Sequence, residues 1–290
     1  MEPRNLPQDW PYRTKGRMVA LGPHRWWVVE AGQGPSVLLL HGTGGSGHSF
    51  RRLVPHLAQH FRVIMPDLPG QGASESRAFH RMGVDGMAAD LLALCDALGA
   101  DPQGVIGHSA GAAVGLRIAE MRPLQAVVGI NAALGGFGGA AGFLFPLIAR
   151  AMATAPFVAR AAAAMLGRPD QVKRLLTGTG SPLDAEGQKQ YLRLVQDPSH
   201  VAGALAMMAA WRLDGLLGRL PDIKVPTLLV AAEGDLAVPP KVSRGAAGRL
   251  PHAELRIVPG YGHLPQEEAA DGLASVILPW LLARVQPASA

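Results

Sequence analysis

The chain has 290 residues, 48% of them apolar and 17% charged, enough to bury about three quarters of its unfolded surface in one large or two ordinary domains. That balance excludes a disordered chain, and the 36 glycines and 24 prolines are spread as punctuation with no repeat or low-complexity tract. The net charge of +5 rests on scattered arginines with no basic run interleaved with aromatics, which excludes a nucleic-acid stripe and leaves a modest bias toward anionic ligands.

In chain order, the stretch MEPRNLPQDWPYRTKGRM has no apolar core of the signal-peptide type, which points to the cytoplasm. WWVVEAG and SVLLLHG predict strands, SFRRLVPHLAQH a helix, and FRVIMPDLPG a strand running into a loop. VDGMAADLLALCDALGA predicts a helix. Cys95 falls within its amphipathic pattern, and this single cysteine excludes an internal disulfide and a cysteine-based metal site. GVIGHS predicts a strand, AGAAVGLRIAEM a helix and LQAVVGINA a strand. Such alternation argues for a doubly wound, mostly parallel sheet covered by helices on both faces.

From Ala132 to Leu217 only helices and turns are predicted, and then the strands VPTLLVAAEGD and AELRIVPGYGH precede a closing helix, ADGLASVILPWLLARV. The expected organisation is a core in two parts, 1–131 and 218–290, interrupted by a helical cap over 132–217. The uncharged run between Arg122 and Arg150 contains LGGFGGAAG and a proline, a composition that a membrane-spanning helix avoids.

Gly107-His108-Ser109-Ala110-Gly111 fits G-x-S-x-G between a predicted strand and a predicted helix, the context of a nucleophile elbow. A serine hydroxyl needs a base, and the base needs an acid to hold it. Asp235 lies just after one later strand and His263 after the next, so the chain order is Ser, Asp, His and all three project from one sheet edge. Glu233 is the rival acid. Asn131 ends the strand before the cap, where no carboxylate is on offer. The loop His41-Gly42-Thr43 follows a buried strand, and the N–H groups of Thr43 and Ala110 are the candidate oxyanion donors.

Other polar residues have plainer readings. His56 and His60 are four apart on the predicted helix, with no carboxylate or cysteine to join them as metal ligands, and read as surface histidines. His108 reads as packed beside the elbow, and Asp67 as hydrogen-bonded to backbone in PDLPGQGAS. His41, Phe137, Phe143, Phe145, Met207, Met208 and Trp211 are the candidate lining of an apolar, roomy pocket beneath the cap. The triad chemistry requires no metal and no organic cofactor.

The elbow, HGTGG, PDLPGQG, Asp235 and His263 resemble the α/β-hydrolase superfamily over nearly the whole chain. The resemblance implies a mostly parallel sheet of about eight strands with a helical cap inserted after the sixth. Ser109 stands where epoxide hydrolases and dehalogenases carry an aspartate nucleophile, which argues against both. NLPQDWP, LLLHGTGGSGHSFRRLVPHLA, GHSAGAAVGLRIA and NAALGGFGGAAG resemble, more narrowly, the BchO-type magnesium-chelatase accessory proteins of bacteriochlorophyll biosynthesis. That likeness implies a tetrapyrrole as ligand and magnesium chelatase as partner. Two functions are therefore expected: a serine hydrolase acting on an ester-like or acyl bond, or a porphyrin-binding or chelatase-accessory protein whose triad is idle. An Arg-rich N-terminal arm and an apolar cap also leave peripheral membrane contact open.

Overall fold

A central strand shows why the sheet forms. Along β3 (Ser36–Leu40), Val37 and Leu39 join one core cluster while Leu38 and Leu40 join another. Successive side chains point to opposite faces, so an unbroken apolar run suits a strand covered on both sides. Each leucine removed from water there contributes about 2 kcal/mol.

The computed structural model describes residues 6–135 and 156–286. The other strands are β1 (Gly16–Leu21), β2 (His24–Ala31), β4 (Arg62–Pro66), the two-residue β5 (Glu75–Ser76), β6 (Pro102–His108), β7 (Ala126–Ile130), β8 (Thr227–Ala232) and β9 (Ala253–Val258). They lie in the order β1-β2-β4-β3-β6-β7-β8-β9, with β5 beside β2. Pairing is parallel from β4 through to β9 and antiparallel around β2. Eight strands make the main path, and the helical stretch follows β7, the sixth of those eight in chain order.

On the core, α1 (Val54–Leu57), α2 (Val84–Ala97) and α3 (Ala110–Met121) precede that stretch. Within it, α4 (Pro156–Leu166), α5 (Pro169–Gly178), α6 (Ala185–Val195), α7 (Pro198–Ala210) and α8 (Asp214–Arg219) run without a strand among the described residues. The chain then returns through α9 (Pro240–Ala247), α10 (Pro265–Glu268) and α11 (Ala270–Leu282). Leu213 and Leu216 already pack with Val127 and Leu229 of the sheet, so α8 belongs to the core in its contacts. No single helix among the described residues is long and apolar enough to cross a membrane.

Strand β5 and helices α9 and α10 were not read from the sequence, and two further differences have a plain physical reason. The edge strand β1 went unread because its side chains alternate only weakly between exposed and half-buried. The single helix expected over SFRRLVPHLAQH is instead a 3-10 turn, Gly47–Phe50, followed by the one-turn α1. Pro55 is the reason. It lacks an N–H and would clash with the carbonyl a turn earlier in a continuous helix, so it is accepted only in a first turn. Cys95 is fully buried, and burial pushes its thiol up to about 12.

Because β3, β6, β8 and β9 run parallel, the segments that leave their carboxyl ends meet along one edge of the sheet. Those segments carry His41–Gly45, Ser109, Asp235 and His263.

Candidate active site

β6 stops at His108 and α3 starts at Ala110, which leaves one residue for the turn. Ser109 occupies it at φ 52° and ψ −116°, a strained conformation for a side-chain-bearing residue. The flanking glycines make the turn possible. A Cβ on Gly107 would come within 2.4 Å of the Gly111 and Ala112 backbone, and one on Gly111 within 2.2 Å of the Leu40 carbonyl. Bonds from Ser109 N–H to Ile130 O (2.9 Å) and from Ala133 N–H to Ser109 O (3.0 Å) hold the turn against the end of β7. Ala110 opens α3, so its N–H lies in the first turn, where no helical carbonyl reaches it.

Asp235 is 3% exposed behind the imidazole of His263. Its Oδ2 lies 2.8 Å from His263 Nδ1, while Oδ1 accepts the N–H groups of Ala237 and Val238, both at 2.8 Å. A carboxylate oxygen accepts, so Nδ1 is the donor in this contact and Nε2 is left for another partner. Glu233 is exposed, its N–H donating to Val258 O, and has no part in this contact.

The His263 carbonyl is clamped as well. His108 Nε2 donates to it at 2.8 Å and Asn131 Nδ2 at 3.1 Å. Burial holds His108 well below its ordinary range, so the ring is neutral and acts as a donor here. Asn131 is fully buried at φ 45°; it also donates to Gly262 O at 3.0 Å and accepts from Ala232 N at 2.7 Å. It therefore ties the ends of β7 and β8 to the histidine loop. Sequence reasoning noted only its missing carboxylate. An asparagine at a strand end is a weak signal, because its bonds run to residues a hundred positions away.

The helical stretch after β7 reaches the loops that carry Asp235 and His263. Thr179 O accepts from His263 N and from Leu236 N, each at 3.2 Å, and Ser181 Oγ accepts from Leu264 N at 2.8 Å. On the other side, α7 grips the glycine loop. His200 Nδ1 accepts from Gly72 N at 2.9 Å, and its Nε2 donates to Gly44 O at 3.1 Å. Met207 Sδ receives Thr43 Oγ1 at 3.3 Å and Gln71 Nε2 at 3.2 Å. None of these ties was visible as a motif.

A cavity of about 120 Å³ lies at Ser109, lined also by Thr43, Ser49, Tyr191, His263 and Leu264. Several residues expected in the pocket lie elsewhere. His41 is fully buried behind the loop: Nδ1 donates to Gly42 O and Nε2 accepts from Leu68 N, both at 2.8 Å, and burial lowers it to about 4. It is a loop brace. Met207 is fully buried under Thr43, while Met208 and Trp211 are half-buried and do not line this cavity. Phe137, Phe143 and Phe145 fall outside the described residues. Asp67 accepts Gly47 N and Ala73 N, both at 2.7 Å, the backbone role expected of it. His56 pairs with Asp271 at 2.8 Å, and His60 is exposed. Among the described residues no three His, Cys, Asp or Glu side chains converge as a metal site.

The alpha/beta hydrolase fold model matches residues 35–270. The chain belongs to that family. It is 50% identical over 283 residues to the magnesium-chelatase 30 kDa subunit of Rhodobacter capsulatus, covering 97% of this chain and 99% of that one. It is 26% identical to the 2-hydroxy-6-oxo-6-phenylhexa-2,4-dienoate hydrolase of Burkholderia cepacia, over 90% and 92% of the two chains. Among solved structures, the epoxide hydrolase CorEH superposes with a TM-score of 0.77 at 22% identity, covering 92% of this chain and 98% of that one, a likeness of fold. The alpha/beta hydrolase frame thus accounts for a four-loop site at the sheet edge.

Proposed function

We propose that this chain is a serine hydrolase that cleaves an ester-like or acyl bond, with Ser109 as nucleophile, His263 as base and Asp235 as its orienting acid. The observation that carries the reading is the 2.8 Å contact between His263 and the buried Asp235 on a cavity that Ser109 also lines. In this mechanism Ser109 Oγ bonds to the substrate carbonyl carbon as its proton passes to His263 Nε2. Negative charge on the carbonyl oxygen is met by the N–H groups of Thr43 and Ala110. The bond to the leaving group breaks as His263 returns the proton to it, and a water molecule repeats the sequence to free Ser109. Helices α4 to α7 of the 132–217 stretch act as the cap, and Leu176 and Leu264 give the cavity apolar lining. The relative's name supports magnesium chelatase as a partner, and the BchO-type resemblance of the sequence supports a tetrapyrrole as ligand.

Intact-mass labelling with a fluorophosphonate tests the assignment. One rapid addition at Ser109 is expected, with Ser109→Ala unlabelled and its ester turnover reduced by about 10⁴-fold or more. Protection by a porphyrin supports the tetrapyrrole link. A folded wild type that takes no label overturns the hydrolase reading.

The 50% identity to a protein named as a chelatase subunit favours a second reading, in which the chain serves magnesium chelatase or holds a porphyrin with the triad idle. Cells carrying Ser109→Ala distinguish the two. Normal pigment synthesis in them, with loss on deletion of the whole protein, supports the accessory role.

A further inference from the structure

Beside the nucleophile lies a buried polar cluster that the triad does not use. It is built from two packed segments, the 3-10 turn Gly47–Phe50 and α10. Among the described residues, seven buried side-chain polar atoms lack a hydrogen-bond partner, and five of them are here: His48 Nε2, Ser49 Oγ, both amide atoms of Gln266, and Glu267 Oε1. Native interiors leave few such atoms, and a concentration in one place calls for a partner supplied from outside the chain. His48 Nε2 and Glu267 Oε1 face each other at 3.7 Å, too far for a direct bond.

The cluster opens on the active-site cavity through Ser49 and Tyr191, which line it together with Ser109. Ser49 is 1% exposed and its buried hydroxyl has no partner, so its capacity both to donate and to accept is unused. Behind it, charge is already compensated. Arg51 Nη1 pairs with Glu267 Oε2. Burial pushes Glu267 up to about 7 against the pull of Arg51, so another negative charge is unwelcome, and a cation would have to compete with the guanidinium. About 120 Å³ holds the equivalent of about four water molecules.

We propose that Ser49 forms a subsite beside Ser109 for a short, neutral, oxygen-bearing part of the substrate, such as a hydroxy, alkoxy or carbamoyl group next to the scissile carbonyl. The proposal deepens the hydrolase reading by assigning chemistry to one end of its substrate. The other end, the cap side, carries the apolar bulk.

Methoxyacetamide and butyramide test it, since they differ only by an ether oxygen in place of a methylene. Ligand-observed NMR titration of the full chain is expected to give about 5-fold tighter binding of methoxyacetamide. Ser49→Ala removes the preference. Ser49→Cys, which keeps the volume and weakens the donor, removes it too, and melting curves verify that both variants are folded. Ser109→Ala retains it. Equal binding of the two amides by the wild type, binding of neither, or an undiminished preference in folded Ser49→Ala overturns the subsite. Fluorophosphonate labelling reports separately on Ser109. A retained amide preference with an unlabelled Ser109 sinks the hydrolase reading and leaves the subsite standing.

Discussion

Asn131→Ala isolates the brace behind His263. The side chain makes bonds of 3.0 and 3.1 Å to the Gly262 and His263 carbonyls and receives the Ala232 N–H at 2.7 Å. His263 O keeps its bond from His108, so the main loss is the Ala232 N–H, orphaned in a buried strand end at a cost of about 1–3 kcal/mol. Alanine at φ 45° adds about 1 kcal/mol, because only glycine and, less freely, asparagine or aspartate settle there. The expected total is about 3 kcal/mol, or about 6–12 °C in Tm for a chain of this size. Asn131→Gly removes the same bonds but relieves the backbone, so it recovers about 1 kcal/mol. That order reverses the usual one, in which alanine is the more stable by about 0.4–1 kcal/mol. Urea unfolding followed by tryptophan fluorescence measures both variants. An Asn131→Ala protein within about 0.5 kcal/mol of wild type, or a glycine variant less stable than the alanine one, refutes the reasoning.

Stability is expected to fall on acidification. Buried His41 and His200 are lowered to about 4 and about 3, and His48 and His108 also lie well down, whereas unfolded histidines take up protons below about 6.5. Asp67, raised to about 6, and Glu267, raised to about 7, act in the opposite sense, since the fold keeps them protonated where unfolded carboxyls ionise. Four histidines outweigh two carboxyls between about pH 4.5 and 6, so unfolding takes up about two protons and stability drops by about 3 kcal/mol per unit as pH falls. Urea midpoints at pH 6 and pH 5 check the sign, and greater stability at pH 5 contradicts it. Gly107→Ala drives a methyl group into the Gly111 and Ala112 backbone and is expected to cost more than about 3 kcal/mol, seen as loss of soluble protein or a sharply lower Tm. His200→Ala frees the loop at Gly44 from α7. Fluorophosphonate labelling is expected to slow about 10-fold with only a few degrees lost in Tm, and an unchanged rate would show that α7 does not position the oxyanion donors.

The elbow was legible because its demands are local. A strand, a one-residue turn and a helix need small residues at fixed offsets, and Gly107 and Gly111 satisfy contacts within one stretch of chain and with β3. The pairing of Asp235 with His263 was legible because both follow consecutive parallel strands. The supports of the site are not local. Asn131, His108, Thr179, Ser181 and His200 act on loops far along the chain through backbone atoms, which have no sequence signature. Residue types alone also mislead. Ser76, His24 and Asp90 form a second chain with two 2.9 Å contacts, yet Arg81 holds Asp90 and the set staples β2, β5 and α2 together. The helix over SFRRLVPHLAQH was misread because the apolar period outvoted Pro55, and His41 was put in the pocket because a loop histidine at a strand end looks accessible when its ring is in fact consumed by Gly42 and Leu68.

The grip of α7 and of Thr179–Ser181 on the loops at the sheet edge bears on how such a protein can be re-engineered. A cap that merely roofed the site would be an exchangeable module, and trimming or swapping it would alter only what enters. Here the helical stretch supplies struts: Gly44 hangs from His200, and the backbone around His263 and Leu236 hangs from Thr179. A chimera carrying a foreign helical stretch must bring its own histidine and its own loop to those points, or the loops around Ser109 stand unassembled.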